Sequence, residues 1–247
     1  MPAACRADVE TLLRNKKLDR TLVPVATAGV PVGVVQETAK TGLFELDQQL
    51  GGGLPLGQMS EIVGPRSSGR TSLLMSILAS ATSRGEMVAL VDTFDVFDPE
   101  SAATAGVVLS RMLWVRGDSC APAFPSLAHR QTGADRVITR ALKATNLILQ
   151  SGGFGVIALD LADAPPHALR RVPMTTWLRF QRVVEGQEAI GVILGSAPMS
   201  RSAGGVSVSL HPRQGQMWRN LESDVRTARA RLVPGADTSP VRLRASA

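Results

Sequence analysis

One eight-residue loop constrains the fold of this chain more than any other feature of its sequence. Residues 64–71 read Gly-Pro-Arg-Ser-Ser-Gly-Arg-Thr and lie between an apolar segment ending at Val63 and a segment of helical periodicity starting at Ser72. They match the phosphate-binding pattern G-x-x-x-x-G-K-[ST] at every fixed position except the lysine, which is Arg70 here. In this pattern, backbone N–H groups and the positive end of the helix dipole face an anion. The loop therefore predicts a strand–loop–helix unit of the nucleotide-binding type.

The loop supplies the candidate nucleotide-binding residues. They are Gly64, Ser67, Ser68, Gly69, Arg70 and Thr71. A hydroxyl at the position of Thr71 can ligate Mg²⁺, so ATP and Mg²⁺ are the candidate cofactors. Arginine keeps the charge of lysine but is longer, planar and forked, so Arg70 is not a conservative replacement in a loop shaped around a point charge. The sequence leaves open whether ATP is bound and whether it is hydrolysed.

The order of apolar segments predicts an α/β fold. Continuous apolar runs, which are typical of strands buried on both faces of a parallel sheet, occur at 59–63, 87–92, 112–115, 155–160 and 189–194. Segments with helical spacing lie at 72–83, 99–105, 133–150 and 175–185. Strands that alternate with helices form right-handed βαβ units. We therefore expect a P-loop core with a mostly parallel, doubly wound central sheet.

Composition divides the chain into three parts. Residues 1–40 contain a short amphipathic helix at 7–17 followed by a linker, and residues 41–225 form the predicted core. Residues 226–247 are rich in Arg, Ala, Pro, Gly and Ser and are predicted to be a disordered basic tail. On the long helix of the core we expect four residues to point inward: Val137, Leu142, Leu147 and Ile148.

The charge of the chain suits a polyanionic partner. Its net charge is +6, and only four of its 27 basic residues are lysine. Arginine contacts phosphate in a bidentate manner, although a GC-rich genome, which favours arginine codons, would explain the same composition. Arg170 and Arg171 are candidate DNA contacts, and a solvated surface is the alternative interpretation. With no apolar run of membrane-spanning length, we expect a cytoplasmic protein that does not contact membranes.

The segments on either side of the loop resemble the RecA ATPase core. Ahead of the loop, Thr41–Asp47 leads into the glycine-rich turn Gly51–Gly57. After it, Val91–Pro99 is similar to the RecA strand and turn that carry the water-orienting glutamate. The resemblance implies that Asp160, at the end of a strand, helps to hold Mg²⁺ together with Thr71. In RecA the strand that resembles the one ending near Ser196 leads into a mobile DNA-binding loop, which is represented here only by the short stretch Ala197–Gly205.

Three departures from the RecA pattern fall on the same reaction. Arg70 stands in place of the lysine, Phe94 in place of the water-orienting glutamate and Ser196 in place of the phosphate-sensing glutamine. By analogy with acid–base catalysis, the loss of the carboxylate would cost about 10²–10⁴ in rate or more. We therefore assign no catalytic residue and expect degenerate ATPase chemistry.

Within the RecA superfamily the chain is most similar to the ImuA-type proteins of the translesion mutagenesis complex. The similarity rests on the altered loop, on Asp92 and Phe94, on Leu159–Pro166 and on the arginine-rich C-terminus. It implies an accessory role in the DNA-damage (SOS) response and error-prone translesion synthesis, beside a Y-family polymerase-like partner. Two alternatives stay open: a slow DNA-dependent ATPase that forms filaments, and a regulator that binds ATP without hydrolysing it. DNA binding and self-association are further expectations.

Overall fold

A computed structural model describes residues 37–117, 127–199, 205–211 and 229–230 of the protein. These residues belong to one compact unit that begins at Glu37. The predicted helix at 7–17, most of the predicted linker and most of the basic tail lie outside the described residues. They therefore remain predictions.

The described residues form the following elements. The strands are β1 (Thr38–Ala39), β2 (Leu54–Pro55), β3 (Gln58–Val63), β4 (Val88–Asp92), β5 (Met112–Arg116), β6 (Val156–Asp160), β7 (Ile190–Gly195), β8 (Ser207–Ser209) and β9 (Arg229–Ala230). The helices are α1 (Phe44–Gln49), α2 (Arg70–Ser83), α3 (Pro99–Thr104), α4 (Leu127–Ser151), α5 (Pro166–Leu169) and α6 (Met174–Val184), with a 3-10 turn at Leu109–Arg111.

The main sheet has the strand order β5-β4-β6-β7-β3-β8-β9. Neighbouring strands pair in parallel from β5 to β8, and only β9 is antiparallel to its neighbour. β1 and β2 form a separate antiparallel pair. The fold prediction of an α/β, mostly parallel, doubly wound sheet is confirmed.

The side chains of the central strands point alternately to the two faces of the sheet, where they form two separate apolar layers. In β4, Val88 and Leu90 join one buried cluster, whereas Ala89 and Val91 join the other. Side chains of successive strand residues point to opposite faces, so a run that is apolar throughout contributes to both layers. The first cluster contains the buried residues of α2, and the second contains those of α4 and α6.

Two predictions about the elements need correction. Helix α4 begins at Leu127 instead of at 133, because an isolated glycine, here Gly133, weakens a helix without ending it. Leu147 was expected to point inward but is 66% exposed, whereas Val137 and Ile148 are buried. With 3.6 residues per turn, Leu147 lies roughly 140° around the helix from the middle of the buried stripe.

Within the predicted tail, Arg229–Ala230 pair with β8.

The contrast between two leucines of α4 provides a test of the packing. Leu149→Ala should lower the free energy of unfolding by about 2–5 kcal/mol, because Leu149 is fully buried between α4 and the sheet. Leu147→Ala should change it by less than about 0.5 kcal/mol, since that side chain is exposed. Urea denaturation followed by circular dichroism measures both, and equal effects of the two changes would contradict the structure.

Candidate nucleotide-binding site

The loop between β3 and α2 has the backbone geometry of a phosphate-binding turn. Helix α2 begins at Arg70, and Gly69 before it has φ 90°, in the left-handed region where glycine is favoured. A Cβ atom on Gly64 would lie 2.5 Å from both the Leu210 carbonyl oxygen and Ser68 Oγ. Close packing therefore requires glycine at position 64, and the turn requires it at position 69.

The first turn of α2 leaves backbone donors for a ligand. No side chain caps the N-terminus of this 14-residue helix. The first N–H groups of an α-helix have no partner within the helix and carry the positive end of its dipole. Ser68 is buried at 7% exposure, and its Oγ has no hydrogen-bond partner among the described residues. Ser67 and Thr71 are exposed. These features fit an anion held by the backbone of the loop.

Arg70 lies where the pattern has lysine, but its guanidinium is directed into the protein. The residue is only 8% exposed. Its Nη1 donates hydrogen bonds to the carbonyl oxygens of Gly64, at 2.6 Å, and Gly195, at 3.1 Å. The positive charge is thus engaged by two backbone dipoles at the ends of β3 and β7. Arg66, in the same loop, is instead exposed and pairs with Asp163 at 3.1 Å.

Asp160 ends β6, opposite Asp92 in the register of β4 and β6. Burial raises the pKa of the Asp160 carboxyl to about 6, and the nearby charges of Asp92 and Asp163 add to the increase. The N–H of Ala162, 2.8 Å from Oδ1, and the charge of Arg70 act in the opposite direction. A cation bound beside this carboxyl would favour its ionised form. If the site holds Mg²⁺, Asp160 and Thr71 are the residues that would hold it.

The segment after β4 carries Phe94, the residue that the sequence-based resemblance aligns with the water-orienting glutamate of RecA. Phe94 is half-buried and packs against the apolar cluster formed by α4 and α6. Asp92 is fully buried and accepts hydrogen bonds from the N–H groups of Val96, at 3.0 Å, and Phe97, at 2.9 Å. It also accepts one from Trp114 Nε1 at 3.3 Å. Asp92 therefore organises the turn.

The other two acids of this segment also have structural partners. Asp95 pairs with Arg116 through two hydrogen bonds of 2.7 and 2.8 Å, and those bonds hold the pKa of the Asp95 carboxyl below its usual range. Asp98 caps α3 by accepting hydrogen bonds from the N–H groups of Glu100 and Ser101. All three carboxylates of this segment are thus engaged in structural contacts. Ser196, which the resemblance aligns with the sensing glutamine of RecA, is exposed after β7.

The structure shows a groove and a buried acid that the sequence did not predict. The groove, of about 650 Å³, lies between the α5–α6 junction and Ser196–Met199 after β7. Arg170 and Arg171 line it.

Glu61 is buried in β3, and its Oε1 accepts a hydrogen bond of 3.0 Å from the Met199 N–H. A carboxylate directly before Ile62 and Val63, in the strand that leads into the phosphate-binding loop, was the available signal.

The geometry of the loop and the order of the strands define the class as an α/β P-loop protein. Residues 25–164 match the family model described as the RecA N-terminal domain, so the chain belongs to that family. The sequence-based resemblance to RecA is thereby confirmed.

Several RecA proteins align with part of the chain. Protein RecA of Crocosphaera subtropica is 41% identical over 83 residues, which are 34% of this chain and 24% of that protein. Protein RecA of Rhizobium rhizogenes is 35% identical over 134 residues, 53% of this chain and 32% of that protein. Protein RecA of Colwellia psychrerythraea is 34% identical over 129 residues, 52% of this chain and 32% of that protein. The matches thus span a third or less of these relatives.

Among the described residues, no helix has the length and apolarity needed to cross a membrane.

The raised pKa of Asp160 leads to a testable pH dependence of stability. The unfolded pKa is 3.8 and the folded one about 6, so the folded state favours the neutral acid. The associated stabilisation is present below the unfolded pKa and is lost as the pH rises through the folded pKa. Asp160→Asn should therefore raise the melting temperature at pH 7.5 in chelator-treated buffer, and the gain should shrink towards pH 4. Glu188→Gln is the control, because Glu188 is exposed and precedes β7, at the opposite edge of the sheet from Asp160. A lower melting temperature for Asp160→Asn at pH 7.5 would contradict the burial of this carboxyl.

Proposed function

We propose that the protein is a RecA-fold accessory factor in the DNA-damage response and error-prone translesion synthesis, and that it does not act as a fast ATPase. One observation carries the proposal. Phe94, which the resemblance to RecA aligns with the water-orienting glutamate, is half-buried against an apolar cluster, while Asp92, Asp95 and Asp98 are all engaged in structural contacts. Attack on a phosphoryl group depends on a positioned water and on charge stabilisation. The phenyl ring of Phe94 can neither position a water molecule nor stabilise the charge of the phosphoryl group.

The phosphate-binding loop supports a second candidate, ATP binding without hydrolysis. Gly64 and Gly69 keep the turn, the first turn of α2 has no side-chain cap, and Ser68 Oγ lacks a partner in the described structure. These features stabilise a bound phosphate through backbone N–H groups. They do not position an attacking water. In this second proposal ATP serves as a regulatory ligand of the accessory factor.

The groove beside the α5–α6 junction supports a proposal of DNA binding. It lies at the edge of the sheet where β6 and β7 end, which is the edge that carries the phosphate-binding loop. Arg170 is exposed on its rim, and Met174, 46% exposed, adds apolar surface. Positive charge follows a nucleic-acid backbone, and an apolar platform accommodates unstacked bases. We propose single-stranded DNA as the ligand of this groove.

The proposed protein partner follows from the similarity to ImuA-type proteins. That similarity implies a Y-family polymerase-like protein as the partner, in the cytoplasm. The basic tail and the exposed residues of α4 and α6 are the candidate contact surfaces for it, and self-association through the same surfaces is an alternative. Co-purification of the two proteins, with and without residues 226–247, tests the assignment to the tail.

Measurements of ATP turnover test the accessory role. We expect hydrolysis at the background level, with or without single-stranded DNA, because the water-orienting carboxylate is missing. Thr71→Ala is the informative variant, since its side chain is exposed and its loss leaves the fold intact. Turnover in the unmodified protein that disappears in Thr71→Ala would establish a slow ATPase instead. Saturable binding of a fluorescent ATP analogue without turnover would favour the regulatory role.

Arg170→Ala tests the DNA-binding groove. We expect several-fold weaker binding to single-stranded oligonucleotides, measured by fluorescence anisotropy at low salt. For each lost phosphate contact, the slope of log affinity against log salt should decrease by about 0.7. Arg84→Ala is the matched control, because Arg84 follows the C-terminal end of α2 and pairs with Glu86. Equal losses in both variants would indicate non-specific attraction by the overall charge.

A further inference from the structure

The Arg70 side chain connects two strands of the central sheet. Residues Val63 and Gly195 are register partners at the carboxyl ends of β3 and β7. Just beyond this pair, Arg70 Nη1 donates one hydrogen bond to the Gly64 carbonyl and another to the Gly195 carbonyl. We call these two hydrogen bonds the Arg70 bridge. Hydrogen bonds from an ionised donor are roughly twice as strong as neutral ones, so the bridge adds to the β3–β7 pairing.

We propose that Arg70 is a positioning residue, which holds the ends of β3 and β7 together through this bridge and does not serve as a phosphate ligand. Both hydrogens of Nη1 are engaged, and the residue is buried. To turn towards an anion in the loop, Nη1 would have to give up both hydrogen bonds, which would remove the Arg70 donor from the Gly64 carbonyl and leave the Gly195 carbonyl only the longer bond from the Gly64 N–H. Leaving buried polar groups unsatisfied is unfavourable. An anion in this loop is then held by backbone N–H groups without a side-chain cation.

The bridge also affects the groove described above, an effect that rests on the proposed function. Gly195 is followed directly by Ser196–Met199, which forms one wall of that groove. Two contacts made by side chains attach this wall to β3 and the loop after it: the Arg70 bridge at its beginning and the hydrogen bond from the Met199 N–H to Glu61 at its end. The Gly64 N–H adds a hydrogen bond of 3.2 Å to the Gly195 carbonyl. Arg70 therefore acts on the groove through Gly195, without touching its ligand.

The geometry of the bridge suits an arginine side chain at position 70 better than a lysine side chain. A guanidinium presents several N–H donors in a planar, rigid fork, and one of its nitrogens can serve two carbonyls. A lysine ammonium is a flexible point charge that is strongly hydrated. Lysine at position 70 should therefore make a weaker bridge and be free to turn towards an anion. The two functions of this position, bridging and anion binding, can thus be separated by one substitution.

The decisive experiment compares Arg70→Lys with Arg66→Lys in the full chain. Both substitutions replace arginine with lysine in the same loop, but the Arg66 side chain is 83% exposed. We expect Arg70→Lys to lower the melting temperature by about 4 °C or more and Arg66→Lys to leave it within about 1 °C. Hydrogen exchange of the amides of 195–199 should become about ten-fold faster in Arg70→Lys only. An unchanged melting temperature and unchanged exchange in Arg70→Lys would overturn the proposal.

Titration with a fluorescent ATP analogue separates bridging from anion binding. We expect Arg70→Lys to bind the analogue at least as tightly as the unmodified protein, because the ammonium is released towards the loop. Weaker binding together with an unchanged melting temperature would identify Arg70 as a phosphate ligand and overturn the proposal. The melting and exchange measurements need no DNA. Failure of the DNA-binding proposal would therefore leave this test intact.

Discussion

Parallel pairing brings the carboxyl ends of β3, β4, β6 and β7 to one edge of the sheet, and the candidate site depends on that constraint. The phosphate-binding loop follows β3, and Asp92 and Asp160 end two neighbouring strands in register. Because these groups share one edge, the charges of Asp92 and Arg70 act on Asp160, whose pKa is raised chiefly by burial. Asp92 raises the pKa of Asp160, and Arg70 lowers it. A change in any one of the strands would move groups that lie far apart in the sequence.

The charged groups at this edge mainly hold the backbone in place. Arg70 binds two carbonyls, Asp92 accepts hydrogen bonds from the turn after β4, and Glu61 accepts one from Met199. Arg116 pairs with Asp95 and lies over the ring of Trp114, 4.7 Å from its centre. The sheet and the loop thus rely on these contacts and not on a residue at position 94. The fold places few restrictions on Phe94, since a ring at that position packs against an existing apolar layer.

The phosphate-binding loop and the groove share one structural element. Gly195 accepts hydrogen bonds from both the loop backbone and Arg70, and the wall of the groove starts at the next residue. A ligand that alters the loop can therefore affect the groove through the end of β7. Such coupling needs no hydrolysis, because it depends only on which hydrogen bonds Gly195 accepts. An accessory factor that responds to nucleotide without consuming it is consistent with this arrangement.

The sequence by itself determined how five strands of the sheet alternate with four helices along the chain, where the phosphate-binding loop lies, and that residue 94 is not a carboxylate. These features depend on local periodicity and on the residue types of short segments, which neighbouring residues encode. Sequence periodicity did not place Leu147 correctly, since the limits of the buried stripe depend on what packs against α4. Only the tertiary structure decided the direction of Arg70, which bonds a carbonyl 125 residues away, and the role of Glu61, whose partner is 138 residues away. Such contacts form when the sheet brings distant strand ends together, and no local pattern specifies them.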